Sequence, residues 1–244
     1  MDRHTRLTRP KVRADDVDEA FASLSLDRAS DSGAGTATVV SNQQPVHSER
    51  ELSTIMQAMR KLREALVASA RLDAFARDAY VFIIRATILV KHMESYHPAL
   101  LHLLSRIHPA ITLPASELHE FLGYYILDLA CRQADLGSAF AVRFRYAYSD
   151  ERVDLVLKAL AHGNWWVFWR MRDEVNEYQR RLIEGAEDQM RKHALACLGR
   201  SYLEADKAFV EKASDRDWEN LKRADKVDWE LTGEVVRMRR AQRK

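Results

Sequence analysis

The chain has 244 residues, 47% of them hydrophobic, and a formal net charge of +2. That length allows one or two domains with a sizeable core, and the near-neutral balance gives no bulk reason to expect a polyanionic partner. Only 8 glycines and 5 prolines are present, which disfavours a turn-rich β fold and favours helices.

Residues 1–46 show no sustained apolar period and are rich in Ser, Thr, Asp, Gly and Arg, so they predict a disordered N-terminal tail. The opening MDRHTRLTRPKVRADD has no apolar h-region and does not read as a secretory signal. The acidic run Asp15, Asp16, Asp18 and Glu19 argues against a mitochondrial presequence. A short amphipathic piece, VDEAFASLSL at 17–26, could fold on a partner.

Order is predicted to begin at Ser48, which stands three residues before Glu51 in capping-box spacing. Leu52, Ile55, Met56, Met59, Leu62 and Leu66 then recur on one helical face. A second helix, about 73–92, is apolar nearly all round and should be central. Its core, AYVFIIRATILV, holds Arg85 at its middle and is too short to span a bilayer; no membrane contact is expected. In YHPALLHLLSRIHPAI, Pro98 suits the first turn of a short helix and Pro109 stops it. Pro114 and Ser116 open the next helix, and LGSAFAVRFRYAY and ERVDLVLKALAH follow. The two cysteines, Cys131 and Cys197, fall on predicted helices. A disulfide framework is not expected, and a reducing setting, nucleus or cytoplasm, is the natural one.

Two junctions resemble one another, LACRQADLGSAFAVRF and KALAHGNWWVFWRM. Each ends a helix in small residues and restarts it after a side chain that can cap, Asp135 or Asn164, 29 residues apart. That spacing is near the period of tetratricopeptide-like helix pairs and predicts stacked helical hairpins over 47–183. Gly163 should end one helix in the left-handed conformation. Trp165, Phe168 and Trp169 lie at i, i+3 and i+4, a single face, so they read as a core plug rather than a stacking platform. Trp166 points elsewhere and is the better candidate for a contact.

The C-terminal third changes character. EGAEDQMRKHALACLGRSYL predicts a helix, and EADKAFVEKAS and DRDWENLKRAD two shorter ones. Then the period switches to two: Val227, Trp229 and Leu231 alternate with polar residues, Thr232-Gly233 turns, and Val235-Val236 restarts a strand. Three short helices and a hairpin spell a winged helix over 184–240, with 241–244 a basic tail. The predicted fold class is all-α, with helical hairpins ending in that winged helix.

On these residues the chain resembles PCI-type subunits, the family shared by the proteasome lid, the COP9 signalosome and eukaryotic initiation factor 3. It looks most like the branch that includes the smallest signalosome subunit, the initiation factor's k subunit and proteasome non-ATPase subunit 8. It is also similar to GANP-type mRNA-export scaffolds. In that family a Leu-x-x-Gly-Asn-aromatic turn closes the last hairpin; here it is Leu160, Gly163, Asn164 and Trp165. The resemblance implies a non-catalytic scaffold whose partners are other protein subunits, bound through the helical groove and the winged helix. The long final helix that bundles subunits in the family has no counterpart before the chain stops at RMRRAQRK.

Chemistry-bearing motifs are lacking. His92, His97, His102 and His108 step by five, five and six residues, and a step of five turns a helix by about 140°, so they share no face. No metal site, cofactor or small-molecule substrate is expected. There is no Gly-x-Ser-x-Gly, Walker loop or Gly-x-Gly-x-x-Gly. Carboxylate pairs such as Asp128 with Asp135 are what any helical protein has. Three basic clusters keep nucleic-acid binding open as the alternative: Arg3 to Arg13 in the tail, Arg143 with Arg145, and Arg237, Arg239, Arg240 and Arg243 on and beyond the wing.

Overall fold

The structure, a computed structural model, describes residues 44–238, with side chains from residue 49 onward. The expectation of a disordered 1–46 tail falls almost wholly outside them, as do Arg239, Arg240 and Arg243. Most described residues are helical, and a small three-stranded antiparallel sheet lies near the C-terminal end.

Helix α1 is Gln44–Ala68. It starts four residues before the predicted Ser48 cap, because Pro45 is tolerated in a first turn that needs no N–H partner. Of its apolar stripe, Met59 and Leu66 are buried, whereas Leu52 and Ile55 are exposed. Helix α2 is Ala74–Leu89, and Asp73 rather than a helical residue is its cap, accepting from the Ala76 N–H at 2.9 Å. It is central as predicted: Tyr80, Ile83, Ile84 and Ile88 are buried. Its Arg85 is satisfied by two hydrogen bonds to Glu120, at 3.0 and 2.7 Å.

The proline reading of the next segment needs correction. Helix α3 is Met93–His102, with Pro98 in its interior rather than its first turn. It runs on through a π turn, Leu103–Ile107, into the short α4, His108–Ala110, so Pro109 does not end the helix before itself. The wider π turn, with the His108 N–H reaching Leu103 O, eases the ring clash that a proline imposes on the turn before it. A second π turn, Asp128–Arg132, follows α5, Ala115–Leu127.

Both predicted caps are present. Asp135 accepts from the Ser138 N–H at 2.9 Å and starts α6, Leu136–Arg145. Helix α7, Glu151–His162, ends at Gly163 with φ +64°, and Asn164 accepts from the Val167 N–H at 3.2 Å to start α8, Trp165–Glu174. Helix α9, Glu177–Ile183, carries a capping box from Asn176 and Gln179. After a 3₁₀ turn comes α10, Glu187–Ser201. In packing, α2 lies on α3, α5 on α6, α7 on α8, and α9 against both α2 and α5. No helix of the described residues is long and apolar enough to cross a membrane.

The segment EADKAFVEKAS is not one helix. Its first three residues form β1, Glu204–Asp206, and only then does α11, Lys207–Ser214, begin. Helix α12, Trp218–Arg223, follows, then β2, Glu230–Thr232, and β3, Val235–Arg237. Strand β3 is central, with Ala205, Val236 and Leu231 abreast. The sequence offered β1 no signal, since Glu-Ala-Asp carries neither β-branched nor aromatic residues; pairing with β3 decides it. Val236, Leu198, Val210, Leu221 and Trp218 form a buried cluster beneath the sheet.

Candidate docking surface

Trp169 answers the aromatic question for one face of α8. It is buried at 6% exposure, edge-on to Phe168, and its Nε1 donates to Ala213 O at 3.0 Å. Arg172 and Arg191 flank its ring, their guanidinium carbons 5.3 and 5.7 Å from the centroid. Burial works against the Arg172 charge, but hydrogen bonds to Asp215 and Asp173 outweigh it and hold its pKa above the ordinary guanidinium value. Trp165, half-buried, packs against the cluster beneath the sheet. Phe168 is wholly buried. These side chains plug α8 onto α11.

Trp166 is different. At 39% exposure it meets Phe209 of α11 at 5.9 Å, and Phe209 meets Tyr202 at 5.8 Å. Tyr202 and its neighbour Leu203 are exposed at 44% and 51%. Lys212 sits over the outer side of Trp166, 5.6 Å from the ring. Apolar side chains in contact over such an exposed run mark interaction surfaces, and Trp and Tyr serve there because one end is apolar and the other polar. Tyr202 and Phe209 were not singled out in the sequence, for they lie on two elements that only the fold brings beside Trp166.

The strip runs into an open strand edge. Met238 N donates to Leu203 O and Lys207 N to Glu234 O, both at 2.8 Å. With the β1–β3 register, this turns the backbone groups of Leu203, Ala205 and Lys207 toward β3 and those of Glu204 and Asp206 away from the sheet.

The basic candidates fall on separate elements. Arg143 and Arg145 close α6, Trp166 lies in the first turn of α8, and Arg237 is in β3. Arg143 makes a two-pronged pair with Asp154, both contacts 2.5 Å. Arg145 is exposed, 5.7 Å over Tyr146. Arg237 is hydrogen-bonded to Glu204 at 2.8 Å, which holds its pKa above the ordinary value. The register places it abreast of Glu204 and Glu230 on the outer sheet face.

The histidines sit in separate surroundings. His102 stacks on Tyr80, His108 accepts from the Leu113 N–H, and His97 contacts Asp128. Among the described residues, no group of three or more His, Cys, Asp or Glu is placed to hold a metal ion. Asp128, which in sequence reads as an ordinary helix carboxylate, is set apart by its burial and its partners. It is wholly buried and takes hydrogen bonds from Tyr96 at 2.7 Å, Arg132 at 2.6 and 2.7 Å, and Gln133 at 3.0 Å. Burial alone would raise its pKa; those hydrogen bonds reverse the sign and hold it below the ordinary value. Its partners come from α3 and from its own π turn, so it ties two helices rather than facing an open site. No protein-family model matches the chain, and no curated protein matches it in sequence.

Proposed function

We propose that the chain is a non-catalytic scaffold or adaptor subunit of a PCI-type multiprotein complex, in the proteasome-lid, signalosome, initiation-factor or mRNA-export class, working in the nucleus or cytoplasm. The observation that carries this reading is the order α10, β1, α11, α12, β2, β3, the helix–strand–helix–helix–hairpin order of a winged helix. In the same reading the pairs α2–α3, α5–α6 and α7–α8 are stacked hairpins that lead into it. The Trp166 strip supplies aromatic anchors of the kind that dominate protein interfaces. The open edge of β1 lets a partner strand add beside it.

Charge favours protein over nucleic acid as the partner. Residues 187–238 hold twelve Asp and Glu against ten Lys and Arg. Several of those cations are engaged within the fold: Arg216 with Asp225, Arg237 with Glu204, and Lys222 with the carbonyls of Val227 and Trp229. A phosphate-binding face needs unpaired cations.

The test is affinity purification of the tagged protein from its own cells at physiological salt, with and without nuclease, read by mass spectrometry. The scaffold reading expects stoichiometric protein partners that survive nuclease and are lost on Trp166→Asp with Tyr202→Asp. Partners that disappear with nuclease would move the nucleic-acid alternative to first place.

A further inference from the structure

Strand β1 is closed on one side and open on the other. Leu203 O, Lys207 N and the pairing of Ala205 with Val236 fill the side toward β3. The backbone groups of Glu204 and Asp206 face away from the sheet, where a further strand can pair with them. Aromatic surface lies next to that edge. Ala205 and Phe209 both pack against the buried cluster, and the exposed Tyr202 and Trp166 each meet Phe209.

The register sets the outer-face side chains in rows. One row reads Glu204, Arg237, Glu230, and Arg237 donates to Glu204 at 2.8 Å. The next reads Asp206, Val235, Thr232. Both rows end at the open edge of β1 on a carboxylate. Residues 203–214 and 230–237 hold five carboxylates against three cations. Each of those cations already has a place: Arg237 on Glu204, Lys207 at 3.9 Å from Glu211, and Lys212 over the Trp166 ring. Asp206 is exposed and makes no side-chain capping bond at the start of α11. The edge therefore carries a surplus of negative charge.

That charge selects the occupant. A second copy of β1, paired with its outer face on the same side, would set one of its own two carboxylates abreast of Glu204 or Asp206. Like charges abreast are destabilising and opposite charges are stabilising. A strand with cations at those two places instead continues the alternation of sign that the Glu204–Arg237–Glu230 row has begun.

We propose that the open edge of β1 takes up an extended segment of a partner polypeptide that carries Lys or Arg at two positions flanking one apolar residue. The proposal rests on the scaffold reading and adds to it the chemistry of the partner segment. The segment's backbone pairs with Glu204 and Asp206, and its two basic side chains lie beside their carboxylates on the outer face. The apolar side chain between them points to the other face, the side of Ala205, Phe209 and Tyr202.

A random peptide display library is selected on the full chain at neutral pH. Enriched peptides are expected to carry the basic–apolar–basic pattern. Asp206→Lys should lower their affinity about tenfold or more, with the melting temperature unchanged. Should that variant not fold, Asp206→Asn takes its place with a fall of about threefold. Asp206 has φ −63°, which suits proline. Asp206→Pro should therefore bind about fivefold more weakly than Asp206→Asn, because only the proline removes the outward N–H. Reducing the chain's own basic end, Arg239→Gln with Arg240→Gln, should change affinity by less than about threefold. Enriched peptides without the basic pair, no enrichment, undiminished binding to Asp206→Lys, or equal binding to the Pro and Asn variants would each overturn the proposal. A rise of about tenfold in the Arg239, Arg240 variant would overturn it too, since the chain's own end would then hold the edge. The scaffold reading is decided separately: stoichiometric cellular partners retained by Asp206→Lys leave it standing even where the peptides fail, and absence of any partner from the wild-type purification removes it.

Discussion

Trp169→Ala is the substitution that most directly tests how α8 is held. The indole is buried at 6% exposure, edge-on to Phe168, and hydrogen-bonded to Ala213 O at 3.0 Å. Removing a core Trp side chain costs roughly 3–5 kcal/mol from lost burial and the cavity left behind. Stranding the Ala213 carbonyl adds about 1 kcal/mol. A loss of about 4–6 kcal/mol is expected, and with a urea slope of about 2–3 kcal/mol/M the midpoint should fall by roughly 1.3–3 M. Trp166→Ala removes an indole that is 39% exposed and meets Phe209 and Lys212; about 1 kcal/mol is expected. The assay is urea unfolding followed by far-UV circular dichroism, because tryptophan fluorescence changes with the substitution itself. Midpoint shifts within about 0.3 M of each other, at an unchanged slope, would refute the division of the cluster into a buried face and an open one.

Three further outcomes follow from particular contacts. Asp128→Ala leaves Arg132 and Tyr96 without their shared acceptor and should cost about 3–5 kcal/mol in equilibrium unfolding. The folded pKa of Asp128 lies below its ordinary 3.8. Its stabilising contribution is therefore full above that value and lost as pH falls through the folded one; Asp128→Asn should flatten the acid limb below about pH 4, and an unchanged limb would count against the network. Gly163→Ala forces an L-residue to φ +64° and drives a methyl into His193, for a loss of about 2 kcal/mol or more. Combined with His193→Ala it should regain about 1 kcal/mol in a double-mutant cycle, and strict additivity would show that the ring is not what occupies the space. Asn164→Ala deletes the α8 cap and should lower stability by about 1 kcal/mol; no change in the urea midpoint would mean that the cap is idle.

Much of this protein could be read locally. Helical period placed α2, α7 and α8, and the short side chains of Asp135 and Asn164 marked their helix starts, because a cap needs only its own three following residues. Gly163 announced its left-handed turn for the same reason: the demand is on one backbone position. The face shared by Trp165, Phe168 and Trp169 was likewise a matter of 100° per residue, and Trp166 fell outside it.

What lay beyond the sequence depends on groups far apart in the chain. Strand β1 has no propensity of its own and exists because Ala205 finds Val236, a pairing that local reading cannot see. Pro98 and Pro109 sit inside helical segments because tertiary packing of α3 on α2 and a π turn outweigh their local penalty. The Trp166–Phe209–Tyr202 strip, the close approach of Gly163 to His193 and the Asp128 knot each join residues from separate elements. The sequence by itself determined most of the helices, α2, α7 and α8 among them, and the face of α8 that is apolar, since these are short-range properties of the backbone. Only the tertiary structure decided which polar groups would be locked in pairs and which apolar ones would stay open, because that depends on what each side chain meets once the helices are packed.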